Sequence, residues 1–191
     1  VMIENLLFSL KKMQSESVPV AAVAPCYCDT EFAELSGFVR IGIFRFQQFY
    51  ARSSEMLVEA DFLIASGTLV PMVVLDDIGY MDSSLFIDHV DTEWCLRAKS
   101  KGYRLFGVSN AVMNHSLGES RRKLWFFRWR FVPFHKPFRY YYIFRNSVNL
   151  WGRDYMPFMW KFVDFIRLFQ MFFYFGIFSS RKVENVMMMW R

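Results

Sequence analysis

Cysteine is scarce in this sequence, with only Cys26, Cys28 and Cys95. The Cys26-x-Cys28 pair has no second pair to complete a tetrahedral zinc site, so the thiols read as reduced and cytoplasmic. Long apolar runs are missing as well. The uncharged stretch Leu168 to Ser180 is 13 residues long, short of the ~20 that span a bilayer. The chain does not open on a secretory signal, because "VMIENLLFSLKK" places its positive charges after the apolar residues. Internal repeats and low-complexity segments are absent. Acidic residues are few towards the C-terminus: residues 121–191 hold 3 Asp/Glu against 14 Lys/Arg, a net of +11, whereas residues 1–120 hold 15 against 9, a net of −6.

What the chain does have is bulk. Hydrophobic residues make up 54% and aromatics 20% of its 191 residues, including 23 Phe. That length supports one domain with a real core and makes a second full domain a squeeze. The last 71 residues carry 24 of the 38 aromatics, so composition changes near Gly118–Arg121 and the two parts meet different surroundings. The initial Val before Met2 suggests an alternative start codon or a fragment.

Periodicity predicts a helix over residues 2–13, from Ile3, Leu6, Leu7 and Leu10. Val18 to Ala24 reads as a buried strand halted by Pro25. A short strand and loop is expected in "FAELSGFVRIGIFRFQQFY". A strand then runs from about Leu57 to Ala65, followed by a Ser66-Gly67 turn. A helix begins at Pro71 and closes at Gly79. Asp91 to Lys101 forms the next helix, with Gly102 as its stop. A strand containing a turn follows, through "YRLFGVSNAVMNHS". Alternating helices and buried strands make an α/β fold class. The last third interleaves Arg and Lys with Trp, Phe and Tyr. It reads as an amphipathic helical region lying in a membrane surface, or else as helices packed on the α/β part or on a second subunit; the charge favours the membrane.

The densest chemistry lies in "LFIDHVDTEWCLRAKSKGY", residues 85 to 103, where acidic groups are threaded between large apolar ones. Asp88 and Asp91 are three apart and can face one way. Asp91, in the first helical turn, is kept ionised by the exposed amide dipoles. Such a carboxylate is either an N-cap or a general base. Glu93 and Arg97, four apart, make a structural helix pair. Ser66-Gly67-Thr68 ends a buried strand, where α/β folds place ligand-contacting loops. His115 ends the strand after the acidic helix, and a lone histidine is as a rule a satisfied core residue.

The ordered set "ASGTLVP", "IGYMDSSLFIDHVDTEWCLRAKSKGYRLFGVSNAVMNHSLG" and "YYYIFRNSVNL" resembles the C-terminal half of family-2 inverting glycosyltransferases. It is most similar to the bacterial rhamnosyltransferases that build O-antigen and other cell-surface polysaccharides. The resemblance runs from about Ile3 to Leu150 and implies a partial GT-A-type, Rossmann-like domain over residues 1–120. A basic, aromatic, membrane-surface helical region would follow over 121–191. It implies Asp91 as the catalytic base, with Ser66, Gly67, Asp88, Glu93, Trp94 and Arg97 binding substrate. It further implies His115 as a ligand of Mg²⁺ or Mn²⁺. The implied partners are a nucleoside-diphosphate sugar such as dTDP-rhamnose, a lipid-linked saccharide acceptor and the inner face of the plasma membrane, and not nucleic acid.

The family's nucleotide-binding half and its Asp-x-Asp motif are absent from this sequence. A truncated, poorly active product is therefore expected, and the alternative is an inactive remnant that docks on a membrane or a partner.

Overall fold

A computed structural model describes residues 1–29, 35–50, 56–115, 121–126, 128–133, 135–179 and 181–190. Helix α1 (Met2–Ser15) buries Leu6, Leu10 and Met13, the stripe that a 3.6-residue period puts on one face. It lies on a three-stranded sheet of order β1-β5-β4, where β1 is Val20–Asp29, β4 is Leu57–Ala60 and β5 is Arg104–His115. Strand β5 runs parallel to β1 and antiparallel to β4. Every side chain from Val20 to Ala24 is buried, as expected of a strand covered on both faces.

The expected halt at Pro25 does not occur. Pro25 pairs with Val108 and Cys26 with Val112, so β5 accommodates Ser109, Asn110 and Ala111 in a bulge while β1 runs on. Proline lacks the amide that a regular ladder needs, and a register break is where it is tolerated. The expected turn within residues 103–116 is this bulge. Strand β4 is shorter than the expected Leu57 to Ala65. The chain leaves the ladder at Asp61, whose carboxylate accepts from the Ile41 amide at 2.6 Å and pairs with Lys99. A small antiparallel hairpin, β2 (Phe38–Ile41) and β3 (Phe46–Phe49), packs alongside. Its Phe38 ring lies where a Cβ on Gly107 would stand, 2.2 Å away, so that position takes glycine for close approach.

Helix α2 (Met72–Ile78) starts after Pro71 and stops at Gly79, whose φ of 90° suits glycine. Helix α3 (Val90–Ser100) stops ahead of Gly102, which also has a positive φ. Both match the expected bounds to within a residue. The largest departure is in the basic region, where residues 121–133 were expected to be helical. Strands β6 (Arg121–Phe126) and β7 (Arg128–Pro133) instead pair antiparallel, with Trp125 opposite Trp129. The run "RWRF" alternates with a period of two, which suits a strand and not a helix. Gly118, near which composition changes, lies outside the described residues.

Helices α4 (Pro137–Trp151), α5 (Phe158–Phe178) and α6 (Lys182–Trp190) complete the chain. Leu150, Met156 and Trp160 share one apolar cluster with Leu85 and Leu96, so packing crosses the compositional boundary. Among the described residues no helix is long and apolar enough to cross a membrane.

Candidate functional site

Three segments converge beside the carboxyl ends of the parallel strands β1 and β5. The first is the turn at Ser66-Gly67. Gly67 has a φ of 73°, and a Cβ there would meet Pro25 of β1 at 2.9 Å and Met113 of β5 at 3.0 Å. The second is the start of α3. The Asp91 carboxylate does not cap its own helix. It reaches across to accept from the Ala65 amide at 2.9 Å, next to that turn. The third is the segment from Leu85 to His89. Asp91 is half-buried, and burial first of all lifts its pKa above the usual carboxylate value. The Ala65 amide opposes that rise and the like charge of Asp88 adds to it. A carboxylate poised in this way binds a proton more readily than a solvated one, as a general base must.

The approach to Asp91 is backbone-strained. Phe86, Asp88 and His89 have φ of 61°, 65° and 63°, a region costly for residues with a Cβ. Helix α4 holds them there. Asn146, fully buried, donates its side-chain amide to the carbonyls of Leu85, Ile87 and Asp88 at 2.9, 2.8 and 2.9 Å. Arg145 donates to the Asn146 carbonyl oxygen at 3.0 and 2.8 Å and to the Ser84 carbonyl at 2.6 Å. Arg139 closes a bidentate pair with the Asp88 carboxylate at 2.8 and 2.9 Å.

Beyond this segment opens a chamber of about 250 Å³, bounded by Phe46, Phe62, Trp160, Asp88, His89 and Arg167. Arg167 donates to the buried Asp164 carboxylate at 2.9 and 2.7 Å, and one of its nitrogens lies 3.0 Å from His89 Nε2. His89 also meets the Ser147 hydroxyl at 3.0 Å. Burial, followed by the Arg167 charge, drives the His89 pKa down to about 4 from its ordinary 6.5. The native ring therefore takes up its proton later than the unfolded chain does. Its contribution is present above pH 6.5 and is lost as pH falls from 6.5 to about 4. Urea titrations should show stability falling across that window by on the order of 3 kcal/mol. In His89→Gln the slope should flatten; an unchanged slope would remove His89 as its source.

The acidic helix divides the expected site residues in two. Asp91 is tied to the Ser66-Gly67 turn through the Ala65 amide, and Asp88 lies close enough for its charge to act on Asp91. Glu93, Trp94 and Arg97 are held elsewhere. Glu93 has no exposed surface and is held by Arg97 at 2.8 Å, by Arg153 at 3.2 Å and by the Tyr155 hydroxyl. Trp94 is buried and donates to the Gly79 carbonyl at 2.8 Å, while Arg97 donates to the carbonyls of Ile78 and Tyr80 at 2.6 and 2.8 Å. These three lock the end of α2 to α3. Spacing along α3 accounts for Glu93 and Arg97, four apart on a face turned away from Asp91, whereas Trp94 is buried by its bond to Gly79.

For His115 only the backbone is described, opposite Asp29 in the β1–β5 ladder. Among the described residues no group of three His, Cys, Asp or Glu side chains could hold a metal ion. Cys95, buried beside Leu63, has its thiol pushed up to about 12 and is packing material.

Reading the sequence missed Phe46, Phe62, Arg139, Asn146, Trp160 and Arg167. The stretch "YYYIFRNSVNL" stood out by resemblance, yet nothing in its spacing says which of its polar side chains turn inward.

The chain is similar to the dTDP-rhamnosyl transferase RfbF of Shigella flexneri, being 30% identical to it over 146 residues. The matched stretch covers 69% of this chain and 48% of RfbF, so the chain spans about half the length of the curated relative it matches. No family model matches the chain, and no solved structure does.

Proposed function

We propose that this chain is the acceptor-side part of a rhamnosyltransferase-like glycosyltransferase, with Asp91 as its base. The observation that carries the reading is a half-buried carboxylate of raised proton affinity beside the carboxyl ends of two parallel strands, where α/β folds bind ligands. The similarity to RfbF supports the substrate class. An acceptor hydroxyl brought to Asp91 would lose its proton to the carboxylate as its oxygen bonds to the anomeric carbon of the donor. The bond from that carbon to the nucleoside diphosphate then breaks on the opposite face, inverting the centre. The chamber behind Asp88 suits a sugar ring, with aromatic walls for its apolar face and polar groups at its edge.

The test is a segment exchange. The 146 matched residues of RfbF are replaced by those of this chain, and rhamnose transfer from dTDP-rhamnose is measured. Transfer that disappears on Asp91→Asn supports the reading. A folded exchange protein that binds donor and transfers nothing overturns it.

A further inference from the structure

Helix α5 carries Asp164 and Arg167 on its packed side, and its opposite side is apolar and uncovered. Trp160, Val163, Asp164, Leu168 and Phe175 are buried towards the chamber and α4. On the opposite side Phe158, Phe162, Phe165, Phe169, Phe173 and Ile177 recur every three or four residues, with exposures from 38% to 78%. This ridge is ~28 Å long at 1.5 Å per residue. Its rings touch in series: Phe165 and Phe169 lie 6.4 Å apart, and Phe169 and Phe173 4.5 Å apart. The tip of the β2–β3 hairpin extends it, since exposed Ile43 and Phe44 sit alongside and Phe44 lies 6.3 Å from Phe162. A soluble surface does not leave so long an apolar strip uncovered without a partner.

Charge identifies the partner. Exposed Arg45 stands at the hairpin tip, and exposed Arg181 and Lys182 lie just past the end of α5. Residues 121–191 carry a net of +11. Two copies meeting ridge to ridge would bring like charges together, whereas an anionic bilayer answers both the phenylalanines and the cations. We propose that the phenylalanine ridge of α5, together with the hairpin tip, lies in the headgroup boundary of an anionic membrane. Trp160 and Arg167 leave the same helix from its other side and bound the chamber. The chamber therefore opens about one helix diameter, roughly 10 Å, from the lipid. Its use there rests on the glycosyltransferase reading, but the docking does not.

Flotation of the chain with vesicles tests this. It should float with phosphatidylglycerol–phosphatidylethanolamine vesicles and at least about tenfold less with phosphatidylcholine, and 0.5 M salt should weaken the binding. Phe165→Ser, Phe169→Ser and Phe173→Ser combined should abolish flotation with the far-UV circular dichroism unchanged. Each change alone should weaken it by roughly tenfold, which keeps the test open should the triple variant not fold. Arg45→Glu, Arg181→Glu and Lys182→Glu combined should remove the preference for anionic lipid. The proposal is overturned by failure to float with anionic vesicles, by undiminished flotation of the serine variants, or by a lipid-free dimer that the serine variants turn into a monomer. Failed transfer in the segment exchange would leave a positive flotation result standing, so the two readings fail separately.

Discussion

On the proposed reading, Asp91→Asn in the exchange protein should lower glycosyl transfer by about 10²–10⁴-fold and leave donor affinity near that of the unaltered exchange protein. Asparagine is nearly isosteric, and its carbonyl oxygen still accepts from the Ala65 amide, so the turn at Ser66-Gly67 keeps its anchor. What is lost is the negative oxygen that would take the acceptor's proton. The pH profile supplies a second readout. Burial first, and the charge of Asp88 in support, raise the Asp91 carboxyl above its ordinary 3.8. A base acts in its ionised form, so on this reading the rate should fall as pH drops through that raised value. The acid limb should then lie above the ordinary carboxylate range and vanish in Asp91→Asn. Transfer by Asp91→Asn within a few-fold of the parent would remove Asp91 from the chemistry.

Asn146→Ala should cost at least about 3 kcal/mol of stability. Its amide is shared among three carbonyls, and its oxygen receives the Arg145 guanidinium. Removing it leaves those groups short of partners in a buried place, at about 1–3 kcal/mol for each one unsatisfied. It also frees Phe86, Asp88 and His89 to relax from conformations that cost free energy to hold. For a chain of this size the melting temperature should fall by roughly 6–12 °C. Transfer should fall too, because the relaxing segment leads directly into Asp91. A shift under about 2 °C would show that α4 does not hold the segment.

The two predictions divide what can be read along the chain from what cannot. Asp91 was visible as a carboxylate at the start of a helix with clean signals: Pro71 and Gly79 bounding one helix, Gly102 ending the next. Asn146 was not visible. It sits 58 residues from Asp88, and nothing local marks it as the donor to that carbonyl. Glu93 and Arg97 show the converse case. Their four-residue spacing predicted a structural pair, as found, with the Glu93 carboxylate fully buried. Strands β6 and β7 stand where alternating cations and aromatics predict an amphipathic helix. In "RWRF" the period is two.

By itself, then, the sequence determined the elements that depend on neighbours three or four residues away: α1, α2, α3, the buried strand at Val20 and the turn at Gly67. It also set the opposed charges of the two parts of the chain. Tertiary structure alone decided which acidic side chain of α3 faces the crevice and which is sealed inside, and that α4 holds the strained approach to Asp91. It likewise decided that α5 presents Trp160 and Arg167 to a chamber and its phenylalanines outward. Those outcomes depend on contacts between residues from 26 to 78 positions apart, whose closure is driven by burial of apolar surface summed over the whole core. A local pattern cannot encode that sum.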